Sequence, residues 1–240
     1  MNIALILSGG TGMRLGTDIP KQYIEVCGRP VISYCVERLA AHNRIDALQI
    51  VADGQWHELI LDCLEKYDCP GQDGNKKFRG FSQSGETRQL SVYHGLEDIS
   101  QYASGRDVVI VHDAARPFVL TQMITDSLEA LEGHDGVLPA LPMKDTVYRS
   151  TDGRKVSALL DRSEIFAGQA PETFRLGRYL EANRRLLPER IHAVSGSAEA
   201  AVMAGLDIVI IPGDEKNFKI TTREDMERFC RIIRRQDFND

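Results

Sequence analysis

The 240-residue chain has no basic excess: 29 Lys and Arg stand against 35 Asp and Glu, leaving a formal charge of −6. That argues against an extended nucleic-acid footprint, which needs cations spread over a wide face. There is no C-x-x-C either. Cys27, Cys35, Cys63, Cys69 and Cys230 are odd in number and scattered, so reduced thiols are expected rather than a disulfide framework or a zinc site. The six histidines show no metal-ligand spacing. No apolar run is long enough to span a membrane. Met1-Asn2 leads into IALIL without a basic n-region, and that run is too short for a signal peptide, so a cytoplasmic location is expected. Repeats, low-complexity tracts and domain-scale linkers are absent as well. What is left is ordinary globular composition with length for one sizeable domain.

Short apolar runs alternate with amphipathic stretches. Strands are predicted at 3–7, 47–52, 78–81, 108–111, 136–141 and in DIVIIP, with a further short strand around FKIT. Helices are predicted from Pro30, over 55–67, after SGET with a cap at Glu86 or Thr87, at about 121–132, 175–186, 198–204, and from Thr222 to about Arg235. Thr222 with Asp225 forms a capping pair in which Asp replaces the usual Glu or Gln. Residues 142–172 break this rhythm: they are polar, turn at STDG, and read as a hairpin that leaves the main sheet. The pattern is α/β, a mostly parallel sheet with helices on both faces, in a single domain with an excursion arm.

The chemistry-bearing loops sit at predicted strand ends. LSGGTGMRLGTDIPKQY places Gly9, Gly10, Gly12 and Gly16 before Lys21, with Arg14 among them. Glycines let backbone N–H groups approach a ligand, and the cations suit an anion. A dinucleotide fingerprint G-x-G-x-x-G is missed because the last glycine falls one place late, and Asp53 lies well beyond the usual spacing of about 20 residues for a ribose-binding acid. A P-loop is missed because no G-K-[ST] closes the run. A triphosphate loop with a basic hook remains, beside the plainer reading of a surface turn with solvated cations. Asp113 and Arg116 follow one strand and Lys219 lies near another. Each could be structural alone, as a cap, a surface ion pair or an edge residue. Three such loops at strand ends favour a shared pocket.

In order along the chain, GGTGMRLG…PKQY, SGETRQLSV, VHDAARPF, KDT, LDR and NFKITTREDM resemble the 2-C-methyl-D-erythritol 4-phosphate cytidylyltransferase family and its ribitol-5-phosphate cytidylyltransferase relatives, from residue 3 to about 233. The resemblance implies a Rossmann-like nucleotidyltransferase fold whose protruding β-arm clasps a second copy in a homodimer. It implies transfer of CMP from CTP to a small polyol phosphate, with Mg²⁺, in isoprenoid biosynthesis. By the same resemblance Arg14, Lys21 and Lys219 are catalytic cations. Ser8, Gly9, Gly10, Gly12, Gly85, Arg88, Ser91, Asp113 and Ala114 surround CTP, with Asp113 also the metal ligand. Arg116, Thr146, Arg162 and Ser195 meet the acceptor, the two arm residues across the dimer.

The chain departs from the family pattern on the acceptor side. VSGSAEAA puts Gly196 where an acid is usual, leaving only the Ser195 hydroxyl. The familiar Thr-Pro-Gln is Ala170-Pro171-Glu172. The favoured acceptor is 2-C-methyl-D-erythritol 4-phosphate. Ribitol 5-phosphate or another polyol phosphate for a cell-surface polymer is the nearest alternative. An NAD(P)-dependent oxidoreductase and a catalytically silent binding module are further ones.

Overall fold

Asn2–Leu7 (β1) is apolar on both faces because it lies at the centre of the sheet, between two parallel neighbours. The computed structural model describes residues 1–10, 19–67 and 76–235. After β1, Glu25–Val26 (β2) and Arg29–Pro30 (β3) form a small antiparallel hairpin, and Val31–Ala41 (α1) follows. Ala47–Val51 (β4), His57–Tyr67 (α2), Phe78–Ser82 (β5) and Arg88–Ile99 (α3) carry the sheet outwards on one side of β1. Val108–Asp113 (β6) then returns to the other side, and Thr121–Ala130 (α4) and Gly136–Pro142 (β7) extend it. Among the described residues, Val147–Arg149 (β8) and Ala158–Leu160 (β9) pair only with each other. Phe166–Gly168 (β10) and Glu172–Arg175 (β11) rejoin the sheet, followed by Leu176–Arg184 (α5), Ser197–Met203 (α6), Ile208–Pro212 (β12) and Arg223–Arg235 (α7).

The eight-stranded sheet runs β12, β7, β11, β6, β1, β4, β5, with β10 on the same side of β7 as β11. β11 is antiparallel to both β6 and β7, whereas β1, β4, β5 and β6 pair in parallel, as do β7 and β12. Alternation along β1 feeds two cores. Ala4 and Ile6 pack under α1, α2 and α4, while Ile3 and Leu5 pack under α3, α5 and α6. A third cluster, with Val31, Tyr34, Phe118, Ile220 and Phe229, seats α7 against α1. No helix among the described residues is long and apolar enough to cross a membrane.

The expected elements are found within a few residues, with three differences. FKIT forms no strand: the Ile220 N–H donates to the Ala115 carbonyl, and the segment is otherwise irregular. The excursion predicted over 142–172 is narrower, since Phe166–Gly168 already pairs with β7 and Glu172 with Val111. The β2–β3 hairpin was not expected, because its turn uses Cys27, at φ 51°, ahead of Gly28. The cap of α3 is Thr87, whose side chain accepts from Leu90 N–H. The cap of α7 is built as expected, Asp225 accepting from Thr222 N–H and Thr222 Oγ1 accepting from Asp225 N–H.

Candidate active site

The chain order reverses between β1 and β6, and in open α/β sheets the crevice at such a reversal, beyond the strand carboxyl ends, is where ligands sit. Residues 8–10 leave β1 there, and Asp113 ends β6. The strand ends are knitted together, Ser8 N–H donating to Val51 O at 2.8 Å and Ala114 N–H to Leu7 O at 3.0 Å. Two glycines allow the loops to close on one another. A Cβ at Gly9 would lie 2.4 Å from Ser84 Cβ, and one at Gly85 would lie 2.8 Å from the backbone nitrogen of Ser91.

Asp113 is the centre of the charge pattern. Its Oδ1 accepts from Arg88 Nε at 3.0 Å, its Oδ2 from Lys219 Nζ at 2.8 Å, and Arg116 Nε stands 3.8 Å from Oδ2. Burial alone would raise the Asp113 pKa, but Arg88, Lys219 and Arg116 outweigh it and hold the carboxyl far below the usual range. Arg88 also donates to Ser197 Oγ at 2.7 Å and lies 3.6 Å from Glu172. Glu172 is buried, accepts from Ala198 N–H at 2.6 Å, and has its pKa raised by burial against the pull of Arg88. Arg116 donates to the Asn217 carbonyl at 2.6 Å, while Asn217 Nδ2 donates to Ala170 O at 2.6 Å. The loop that carries Lys219 is therefore held from the end of β6. His112 lies beneath, its Nε2 bonded to the Arg116 carbonyl at 2.9 Å and its pKa lowered to about 4, chiefly by burial.

Of the residues singled out from sequence, Ser8, Gly9, Gly10, Gly85, Arg88, Asp113, Ala114, Arg116 and Lys219 lie on or beside these strand ends, and Lys21 opens the short turn whose next residue, Gln22, bonds the Ser8 and Gly10 carbonyls; Gly12 and Arg14 lie outside the described residues. Ser91 is used in steadying the loop: its hydroxyl accepts from Gly85 N–H at 2.9 Å and donates to Thr87 O at 3.1 Å. Ser195 sends both its N–H and its hydroxyl to Glu199. Thr146 is exposed ahead of β8, and Arg162 donates to Lys144 O at 2.8 Å; among the described residues neither has a hydrogen bond to the Asp113 cluster. Glu172, Ser197, Asn217, Gln22 and Tyr23 were not assigned site roles from sequence. Glu172 was visible as a departure from pattern, and the other four only as neighbours of chosen residues, because partnership of buried polar groups depends on folding.

Among the described residues no group of three or more His, Cys, Asp or Glu side chains converges as a metal cage. The donor set at the strand ends suits a cation carried by phosphates, since Mg²⁺ is commonly held by one or two carboxylates plus phosphate oxygens, and Asp113 is an ionised carboxylate there.

Over residues 2–235 the chain matches the family described as 2-C-methyl-D-erythritol 4-phosphate cytidylyltransferase. It is 35% identical over 232 residues to the bifunctional enzyme IspD/IspF of Granulibacter bethesdensis, covering 96% of this chain and 56% of that protein. The chain thus spans about half the length of that bifunctional relative. It is 30% identical over 230 residues to a ribitol-5-phosphate cytidylyltransferase of Streptococcus agalactiae, covering 95% of this chain and 93% of that one. A solved 4-diphosphocytidyl-2C-methyl-D-erythritol synthase from Anaerococcus prevotii superposes with a TM-score of 0.80 at 26% identity, over 97% of this chain and 96% of the other. The Francisella tularensis 2-C-methyl-D-erythritol 4-phosphate cytidylyltransferase gives 0.78 at 28% identity, over 95% and 97%.

Proposed function

The chain belongs to the 2-C-methyl-D-erythritol 4-phosphate cytidylyltransferase family, and from that premise we propose that it transfers CMP from CTP to a polyol phosphate, with 2-C-methyl-D-erythritol 4-phosphate as acceptor. The observation that carries the proposal is the ring of Arg88, Arg116 and Lys219 around Asp113, at the strand ends where the glycine loop begins. No protein nucleophile is required. An oxygen of the acceptor phosphate attacks the α-phosphorus of CTP, a new O–P bond forms, and the bond to the bridging oxygen breaks. Pyrophosphate leaves with the electron pair. Both reactants are anions, so catalysis consists of alignment and charge neutralisation.

Lys21 and Lys219, with Arg14, supply positive charge along the triphosphate. Asp113 would hold Mg²⁺ against it, and the ion when bound supplies further charge neutralisation. Arg88 has its nitrogens directed at Asp113, Ser197 and Glu172, which suits it to holding the pocket walls. Thr146 and Arg162 would serve a neighbouring subunit's acceptor. The exposed apolar residues of the hairpin, Tyr148, Val156 and Leu159, support a homodimer through that arm. Free thiols at Cys27, Cys35, Cys63 and Cys230 support a reducing, cytoplasmic setting.

A second acceptor, ribitol 5-phosphate, is favoured by the Streptococcus agalactiae relative and by the doubled glycine at 9–10, while Ala170, Glu172 and Gly196 depart from the family pattern without pointing to either acceptor. Pyrophosphate release from CTP and Mg²⁺ against both acceptors and other C4–C6 polyol phosphates decides between them. The expected result is the highest kcat/KM with 2-C-methyl-D-erythritol 4-phosphate, and loss of turnover with EDTA. Silence with every acceptor, or turnover with ATP or UTP instead, refutes the proposal.

A further inference from the structure

Gln22 and Tyr23 form one short helical turn with Lys21, and both side chains are almost fully buried, at 3% exposure each. A buried amide must place its hydrogens on acceptors. Gln22 Nε2 does so on two carbonyls of the glycine loop, Ser8 O and Gly10 O, each at 2.7 Å. An amide NH₂ carries two hydrogens, so this pair of bonds uses both. The Tyr23 hydroxyl donates to the same Ser8 carbonyl at 2.9 Å and accepts from Ser8 Oγ at 2.8 Å. Burial pushes the Tyr23 pKa up to about 12, so the hydroxyl keeps its proton to still higher pH than an exposed tyrosine would. The ring itself stacks on Trp56, with centroids 4.2 Å apart and planes 16° from parallel.

In a trans peptide the carbonyl and the next residue's N–H point in opposite directions within one plane. Holding the Ser8 carbonyl against Gln22 and Tyr23 therefore also sets the direction of Gly9 N–H. Gly9 N–H is thus oriented through the Ser8 carbonyl, by side chains that follow directly on Lys21.

We infer that Gln22 is a positioning residue for the nucleotide: it fixes the Ser8 and Gly10 carbonyls where the chain leaves β1, next in sequence to Lys21, and Tyr23 assists at Ser8. This rests on the CTP-binding reading above. It goes beyond it in assigning a task to the glutamine and tyrosine of PKQY.

The test uses the full chain with Gln22→Met, which matches the side chain's length without its donors, and with Tyr23→Phe, which retains the ring on Trp56. CTP affinity is measured by calorimetry without acceptor, and KM for each substrate by pyrophosphate release. Gln22→Met is expected to weaken CTP binding about 10- to 100-fold, as for two lost hydrogen bonds to buried carbonyls. Its acceptor KM should stay within about twofold, with a cooperative melt retained. Tyr23→Phe should shift CTP affinity in the same direction by less. Unchanged CTP affinity in Gln22→Met overturns the inference, as does equal damage to both substrates. If Gln22→Met does not fold, unchanged CTP affinity in Tyr23→Phe overturns it. An unmodified chain that binds CTP but transfers to no acceptor would refute the proposed reaction while leaving the Gln22 comparison readable by calorimetry. One that fails to bind CTP refutes both.

Discussion

Lys21 and Lys219 come from opposite ends of the sequence, so removing either ammonium tests charge neutralisation with different risk to the fold. Lys219 is one of three cations around Asp113, and Arg88 and Arg116 remain when it is lost. Lys21→Ala and Lys219→Ala are each expected to lower kcat about 10²- to 10³-fold, as for removal of one preorganised contact to developing charge. Circular dichroism should show both variants folded; near-normal turnover in folded Lys21→Ala would refute its role. His112 supplies a pH test of the site floor. Its folded pKa of about 4 lies below the ordinary 6.5, so its contribution to stability is complete above pH 6.5 and is lost as pH falls towards 4. The wild-type melting temperature should therefore fall more steeply over that window than that of His112→Gln, whose side chain does not titrate. Parallel curves would show that burial of His112 is not linked to protonation.

At the level of elements, the loop bearing Lys219 is secured downstream by the start of α7. Asp225 accepts from Thr221 N–H at 2.9 Å, from Thr221 Oγ1 at 2.7 Å and from Thr222 N–H at 2.9 Å. Asp225→Ala is expected to cost about 1–2 kcal/mol, which for a chain of this size lowers the melting temperature by roughly 2–8 °C. A thermal melt unchanged within error would mean that water replaces these bonds at no cost. This cap was legible in TTRED, because capping uses residues within one turn. So were β1, β4, β6 and β12, each a short apolar run. The antiparallel placement of β11 was not legible: ETFR has no local signal for direction, and its neighbours β6 and β7 are remote in sequence. FKIT misled because alternation alone looks like a strand, whereas Phe218 and Ile220 pack beside Phe118 and Phe229 without a strand partner. In the candidate site, the charged residues were readable from loops at strand ends. The buried polar ones, Gln22 and Asn217, were not, since their partners are main-chain carbonyls with no mark in sequence.

Across the whole molecule, the β8–β9 hairpin is the part least explained by a single copy. Among the described residues it pairs with no other strand, and Tyr148, Val156 and Leu159 are 58%, 66% and 65% exposed. Light scattering at assay concentration is expected to give a dimer. Val156→Glu with Leu159→Glu should give a monomer, and loss of turnover in that monomer would place Thr146 and Arg162 in the neighbour's site. A monomeric wild type with full activity would remove the cross-subunit roles.

The ring of charge around Asp113 has a further bearing on which molecules can enter. Arg88 and Lys219 are already hydrogen-bonded to Asp113, so a newcomer that takes either of them gains only by displacing a resident pair. A single tetrahedral anion offers too few simultaneous contacts for that exchange, whereas a chain of linked phosphates can replace several at once. Crude buffer ions should therefore be poor competitors. Inorganic phosphate and sulfate are expected to inhibit at least about tenfold more weakly than pyrophosphate or tripolyphosphate at equal ionic strength. Inhibition constants of similar size for all four would show that the resident pairs exert no such filter.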